Sequence, residues 1–172
     1  VRAIMLYPMN ALVADQIGRL RKMIGDTEGK FHQVFDNTTD RNNRYPTFGM
    51  YTGRTPYAGK ETLKKDSDLA DTLEKDLLKR TAEIQKQLFD LGKYPAKDSL
   101  SHYIEGLRNG KHVTDELDSE MITRFEMQKE APDILITNYS MLEYMLMRTV
   151  EQNIWTQTKE WLQASPQNKL LF

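Results

Sequence analysis

The sequence contains no cysteine, which excludes disulfide bonds and thiolate metal sites. A chain without cysteine is compatible with the reducing cytosol, and we expect a cytoplasmic protein. No apolar run approaches the roughly 20 residues that span a bilayer, so nothing in the sequence indicates a membrane protein. The three histidines, His32, His102 and His112, lack the spacing of metal ligands. We therefore expect no metal site.

An excess of basic charge is also missing, since 24 lysines and arginines stand against 25 aspartates and glutamates. This balance excludes a broadly basic surface, so any contact with nucleic acid must be local. The 172 residues, 39% of them hydrophobic and 28% charged, are typical of one globular domain.

The most informative stretch is residues 4–16, which read I-M-L-Y-P-M-N-A-L-V-A-D-Q. Residues 3–7 have the continuous apolar character of a strand buried on both faces, and Pro8 ends the strand because it has no N–H to donate. Asn10 is a good N-cap residue, and a helical pattern follows up to Gly25. The apolar positions on one side of this helix are Leu12, Val13, Ile17, Leu20 and Ile24.

The turn after this strand suits a phosphate. The free N–H groups of the first helical turn point out of the carboxyl end of the strand, where open α/β sheets keep their ligand sites. A plain strand-to-helix connection without a ligand is the alternative, and it is the commoner reading of such a unit taken alone.

Two later stretches repeat this arrangement. Residues 133–137, D-I-L-I-T, predict a second buried strand, and Ser140 with Glu143 forms an S-x-x-E capping box for the helix after it. Residues 47–51 predict a strand that ends in the turn T-G-R-T-P. We expect the strands at 3–7 and 134–137 to be parallel neighbours with helices on both faces of the sheet.

The remaining segments are mostly helical in pattern. Residues 25–46 predict a polar loop with a short strand at 32–35, and residues 60–91 predict one long helix or two short ones. An irregular segment up to Gly110 and a helix at 115–129 follow. Trp155 and Trp161 are expected to pack a helix at 150–162 on the sheet, and Leu170 starts another apolar run.

Three motifs, taken in order, resemble those of superfamily 2 DEAD/DEAH-box DNA helicases, especially the large Lhr-like members. P-M-N-A-L-V-A-D-Q at 8–16 resembles motif Ia in its P-T-K/N-A-L-x-x-D-Q form, T-G-R-T at 52–55 resembles the following Y-x-G-x-T element, and P-D-I-L-I-T-N-Y-S-M-L-E at 132–143 resembles motif Ib. Met9 replaces the usual threonine, whose hydroxyl a thioether cannot imitate, and Tyr139 replaces the commoner proline.

The resemblance implies a partial RecA-like (P-loop NTPase) α/β fold, in which residues 1–56 and 131–172 form part of the first helicase domain and residues 57–130 form a helical insertion. It implies that the intact protein is an ATP-dependent helicase, a hydrolase that uses ATP and Mg²⁺. The sequence contains no G-x-x-x-x-G-K-S/T, and its one D-E-x-D string, D-E-L-D at 115–118, precedes the stretch that resembles motif Ib, whereas the D-E-A-H strand of the family follows that motif. We therefore expect a fragment that runs from motif Ia to just before motif II, without a bound cofactor or catalytic residues of its own, and inactive alone.

The partner that the resemblance implies is single-stranded or duplex DNA, with RNA left open, and its protein partners are unknown. The residues implied to bind the nucleic-acid backbone lie at the three strand ends: Pro8, Met9, Asn10, Ala11, Thr52, Gly53, Arg54, Thr137, Asn138, Tyr139 and Ser140.

Two other classes of function stay open. A restriction or defence nuclease system that uses the same motor would carry the same motifs. A non-enzymatic α/β interaction module, with residues 57–130 as its binding surface, would also fit the fold pattern.

Overall fold

A computed structural model of the chain describes residues 1–25, 30–38, 45–57, 61–111 and 114–172. Along these residues short parallel strands alternate with helices, as in α/β proteins. In chain order the elements are β1 (Ala3–Tyr7), α1 (Asn10–Met23), α2 (Lys30–Thr38), β2 (Phe48–Tyr51), α3 (Leu63–Leu73), a π-helical turn (Glu74–Leu78), α4 (Ala82–Asp90), α5 (Leu100–Arg108), β3 (Glu120–Met121), α6 (Arg124–Lys129), β4 (Ile134–Asn138), α7 (Tyr139–Met147), a 3-10 turn (Thr149–Glu151) and α8 (Gln152–Ala164).

The sheet has the strand order β1-β4-β2-β3. Strand β4 pairs in parallel with both β1 and β2, so that Leu135 stands opposite Ile4 on one side and Gly49 on the other. Helices flank this sheet, which confirms the predicted α/β class and the parallel pairing of β1 with β4. The order also brings the carboxyl ends of β1, β4 and β2 to one edge.

Burial differs between the two strands that were predicted to be covered on both faces. The inner residues Leu135, Ile136 and Thr137 of β4 are fully buried, whereas in β1 only Ile4 is. Strand β1 is therefore less buried than the sequence predicted. In the described chain the apolar run from Leu170 forms only a short parallel bridge, between Leu171 and Ala3 at the edge of β1.

The chain divides into two compact units. One comprises Val1–Ile17, Pro46–Ala58 and Met121–Phe172, and the other comprises Gly18–Tyr45 and Gly59–Glu120. The first unit holds the sheet strands β1, β2 and β4 and a core built from them and from helices α6 to α8; its buried members are Val1, Ile4, Tyr51, Met121, Met127, Ala131, Leu135, Met145 and Ile154. The division of the sequence at residues 56 and 131 stays a prediction.

Several helices agree with their sequence patterns. The segment 60–91 forms two helices, α3 and α4, separated by the π-helical turn, and the hydroxyls of Thr62 and Thr81 cap them. In α1 the apolar positions are buried as expected except Leu12, which is 40% exposed. None of the helices in the described ranges is long and apolar enough to cross a membrane.

Other segments differ from the predictions. Residues 30–38 form helix α2 in place of a loop with a strand at 32–35, since Phe31 and Phe35 pack their rings on one helical face, with centroids 5.8 Å apart. The loop residues 39–44 and His112 lie outside the described residues. The segment expected to be irregular contains α5, which Ser99 caps and whose apolar residues are buried on one side: Leu100, Tyr103, Ile104 and Leu107.

The helix predicted at 115–129 is shorter than expected. Thr123 and Glu126 form a capping box, so α6 begins only at Arg124. Upstream, Asp118 accepts hydrogen bonds from the backbone N–H groups of Asp98 and Asp115 and pairs with Lys97, which holds residues 115–118 in a turn. These contacts to residues 97 and 98 override the helical pattern.

Candidate functional site

An open cleft lies at the carboxyl edge of the sheet, where β1, β2 and β4 end. Its volume is about 590 Å³, and all the residues that line it belong to the unit that holds the sheet. We call it the strand-end cleft, and it is lined by Pro8, Met9, Asn10, Ala11, Gly53, Arg54, Asn138, Ser140, Met141 and Tyr144. The structure thus brings together the turn after β1, the turn after β2 and the start of α7.

Two asparagines join the first and the third of these segments. The Asn138 side-chain amide donates to the Asn10 side-chain oxygen at 2.7 Å, and the Asn138 side-chain oxygen accepts from the Met141 N–H at 2.8 Å. Asn138 is therefore the N-cap of α7, and the predicted capping box of Ser140 and Glu143 is wrong. Asn10 likewise is not the cap of α1, because it already lies in the first turn and its side chain bonds Asn138.

The turn after β2 is held by its own threonines. The Thr52 hydroxyl oxygen accepts from the Arg54 N–H at 3.1 Å, and Thr55 accepts from the Thr52 N–H at 2.9 Å while donating to the Met50 carbonyl at 2.6 Å. These bonds fix the backbone, so that Gly53 and Arg54 are exposed at the cleft. Within the described part of the chain, the Arg54 guanidinium has no ion-pair partner.

A buried arginine supports the same turn from beneath. Arg124 donates to the Thr52 carbonyl at 2.7 Å, and its guanidinium lies 5.2 Å from the centroid of the Tyr51 ring. The Tyr51 hydroxyl donates to the buried Glu151 carboxylate at 2.8 Å and accepts from Gln128 at 2.8 Å. Burial, followed by the hydrogen bond to Glu151, raises the pKa of Tyr51 well above its usual value. The sequence offered no signal for Arg124 or Glu151, since neither belongs to a motif.

Three of the expected site residues do not line the cleft. Thr52 and Thr137 are fully buried, and the Thr137 hydroxyl donates to the Tyr51 carbonyl at 2.6 Å. Tyr139 is exposed but lies outside the lining. In their place the structure adds Met141 and Tyr144, whose spacing of three residues on α7 was the only available signal.

The electrostatics of the cleft favour an anion. Among the described residues of its lining, only Arg54 is charged. Helices α1 and α7 both begin at the cleft, and the first N–H groups of a helix lack intrahelical acceptors and carry the positive end of its dipole. Among the residues that the structure describes, no group of three histidines or carboxylates could hold a metal ion. The cleft has the means to bind a phosphate and apolar groups beside it, and no nucleophile paired with a base.

The second unit, Gly18–Tyr45 with Gly59–Glu120, has a smaller cleft of about 210 Å³. Its lining includes Phe89, Tyr94 and Lys97. The Lys97 ammonium pairs with Asp118 at 3.0 Å and lies 4.4 Å from the centroid of the Tyr103 ring, and both charged side chains are almost completely buried. A charge that is buried and paired in this way offers little to a ligand.

Comparison with known proteins gives one clear similarity. No model of a known protein family matches the chain, and no solved structure matches it. The chain is 40% identical over 195 aligned positions to Druantia protein DruE of Escherichia coli (strain UMEA 4076-1), and the alignment covers 99% of this chain and 10% of DruE. The chain is therefore similar to a segment of DruE that makes up about a tenth of that protein's length.

Proposed function

We propose that the strand-end cleft holds the sugar-phosphate backbone of a nucleic-acid strand, and that the chain is part of an ATP-dependent DNA helicase or translocase motor. One observation carries the proposal. Three sequence segments that resemble helicase motifs, centred near residues 10, 53 and 139, line one cleft although more than 120 residues separate the first from the last.

The chemistry of the cleft supports a backbone contact. Two helix N-termini and the Arg54 guanidinium offer donors to phosphate oxygens, and none of these groups reads a base. Met9 provides no hydroxyl, so the N–H groups of the first turn of α1 would bind the phosphate there. A net charge of −1 for the chain keeps such binding local to the cleft.

ATP and Mg²⁺ belong to the proposal for the whole protein. The residues that line the strand-end cleft do not fit a nucleotide site, because the sequence has no phosphate loop and its one D-E-x-D string, residues 115–118, lies in the other unit, where Asp118 pairs with Lys97. We therefore assign no step of ATP hydrolysis to this chain, and most of DruE's length lies outside the similar segment.

The similarity to DruE favours one of the alternatives. DruE is a component of the Druantia defence system. We propose that this motor also acts in defence, which is the alternative of a restriction or defence system that the sequence left open. A non-enzymatic interaction module remains the competing reading, and it predicts no binding of nucleic acid at the cleft.

Charge reversal at Arg54 tests the proposal. In the full-length protein, Arg54→Glu should weaken binding to single strands of any sequence and should lower the dependence of log K on log salt by about 0.7, the value for one phosphate contact on a single strand. Fluorescence anisotropy at several salt concentrations measures both effects. The matched control is Lys159→Glu, which makes the same change of net charge on an exposed position of α8 outside the cleft.

The control separates a local contact from a general effect of charge. If Lys159→Glu weakened binding as much as Arg54→Glu, the effect would arise from the overall field of the protein. If neither variant changed affinity or salt slope while both remained folded, the strand-end cleft would not be the binding site.

A further inference from the structure

Part of the strand-end cleft is apolar, which a contact with phosphates alone does not explain. Met9 is 59% exposed and Tyr144 is 55% exposed, and Met141 lines the same cleft half-buried. A phosphate requires donors or positive charge, which a thioether and the face of a phenol ring lack. Single exposed apolar residues are common on proteins, but here three of them share one cleft with its one cation.

We infer that Tyr144 stacks on an unpaired base of the strand whose backbone contacts Arg54, an inference that rests on the proposed function. Base faces and aromatic rings stack without regard to sequence, and basic grooves that hold single strands combine the two contacts. In a duplex each base face is covered by its neighbours. Tyr144 therefore makes the cleft selective for single-stranded nucleic acid, and Met9 and Met141 supply polarizable surface for the same base.

The placement of Tyr144 distinguishes it from the tryptophans near the same core. The Trp155 indole N–H donates to the Met145 carbonyl at 2.9 Å, and the Trp161 ring lies 5.4 Å from the Arg2 guanidinium. Both tryptophan rings therefore make contacts within the protein. In the described part of the chain, no group hydrogen-bonds to the Tyr144 hydroxyl, and its ring stands on the cleft side of α7. The recognition element is the ring, so phenylalanine should replace it.

Three labelled DNA ligands test the inference on the full-length protein: an oligothymidylate single strand, an abasic strand of equal length, and a duplex. Tyr144→Ala should bind the thymidylate strand between about 5-fold and about 150-fold more weakly, the range that follows from the stacking energy of one base. Tyr144→Phe should bind like the unchanged protein. Binding to the abasic strand and to the duplex should be the same for all three proteins.

Leu146→Ala is the matched control, because Leu146 is 57% exposed on the same helix and does not line the cleft. It should leave all three affinities unchanged. An equal loss for the thymidylate and the abasic strand in Tyr144→Ala would overturn the inference, since the residue would then act on the backbone or on the fold. No loss for either strand would also overturn it.

Parallel measurement of Arg54→Glu separates the inference from the proposed function. If Arg54→Glu weakens binding to both strands and Tyr144→Ala weakens neither, stacking is wrong and the backbone contact stands. If the full-length protein binds none of the three ligands, both are wrong.

Discussion

At the scale of single residues, the hydroxyl groups of Thr52 and Thr137 hold the fold together, and the cleft has other donors. Thr52 and Thr137 resemble positions that contact nucleic acid in helicases, yet both are buried and both bond backbone groups at the end of β2. Met9 has no hydroxyl at all. The donors that face the cleft are therefore Arg54, Ser140 and the first N–H groups of two helices.

The raised pKa of the buried Tyr51 predicts how the stability of the protein changes at alkaline pH. Its raised pKa means that the folded chain keeps the phenol proton above pH 10.0, the ordinary value, at which the unfolded chain loses it. Its contribution to stability is fully present below pH 10.0 and is lost as the pH rises toward the folded pKa. Between pH 10.0 and the pKa of the folded state, the wild type should lose up to about 1.4 kcal/mol of stability per pH unit more than Tyr51→Phe does.

Urea unfolding of the two proteins between pH 8 and 11 measures this difference. At pH 8, Tyr51→Phe should be less stable by about 1–3 kcal/mol, because the buried Glu151 carboxylate loses the hydroxyl that donates to it. Parallel pH curves for the two proteins would show that Tyr51 ionises equally in both states.

At the scale of helices and strands, the sequence predicted the elements whose signal is local. Strand β1 and helix α1 follow directly from an apolar run, a proline and a helical period. Helix α6 was predicted too long because Asp118 binds residues 97 and 98, which no local pattern contains. The two-residue strand β3 is too short to produce a pattern.

The same reasoning applies to the site. The predicted parallel pairing of residues 3–7 with 134–137 implies that these two strands end at one edge of the sheet, and residues from all three strand ends line one cleft. The sequence did not predict that Asn138, rather than Ser140, caps α7, because either residue type suits an N-cap position and only the backbone geometry selects one. The three-residue spacing of Met141 and Tyr144 was too weak a signal to place Tyr144 in the cleft, since α7 is apolar on most sides.

The cap of α7 leads to a prediction with an internal control. Asn138→Ala removes both the cap and the bond to Asn10, and it should lower the free energy of unfolding by about 1–2 kcal/mol. Ser140→Ala should change it by less than about 0.5 kcal/mol, as for other exposed positions. Chemical denaturation of both variants checks this. A larger loss for Ser140→Ala would mean that the capping box predicted from the sequence forms after all.

At the scale of the whole molecule, charge and size limit what this chain does by itself. A net charge of −1 gives no general attraction to nucleic acid, so specific contacts in the cleft must provide the affinity. The described residues that line the cleft all belong to the unit that holds the sheet. Because the chain matches about a tenth of DruE, the motor proposed here is a property of the full-length protein.

Photochemical crosslinking tests most directly whether the strand-end cleft is where nucleic acid binds. The full-length protein would be irradiated with a single strand that carries 5-iodouracil, and peptide mass spectrometry would locate the adducts. Our account predicts adducts in peptides that contain residues 8–11 and 138–144, with Tyr144 as the main site. Adducts confined to the helical segment 63–108, with none at the strand ends, would contradict it.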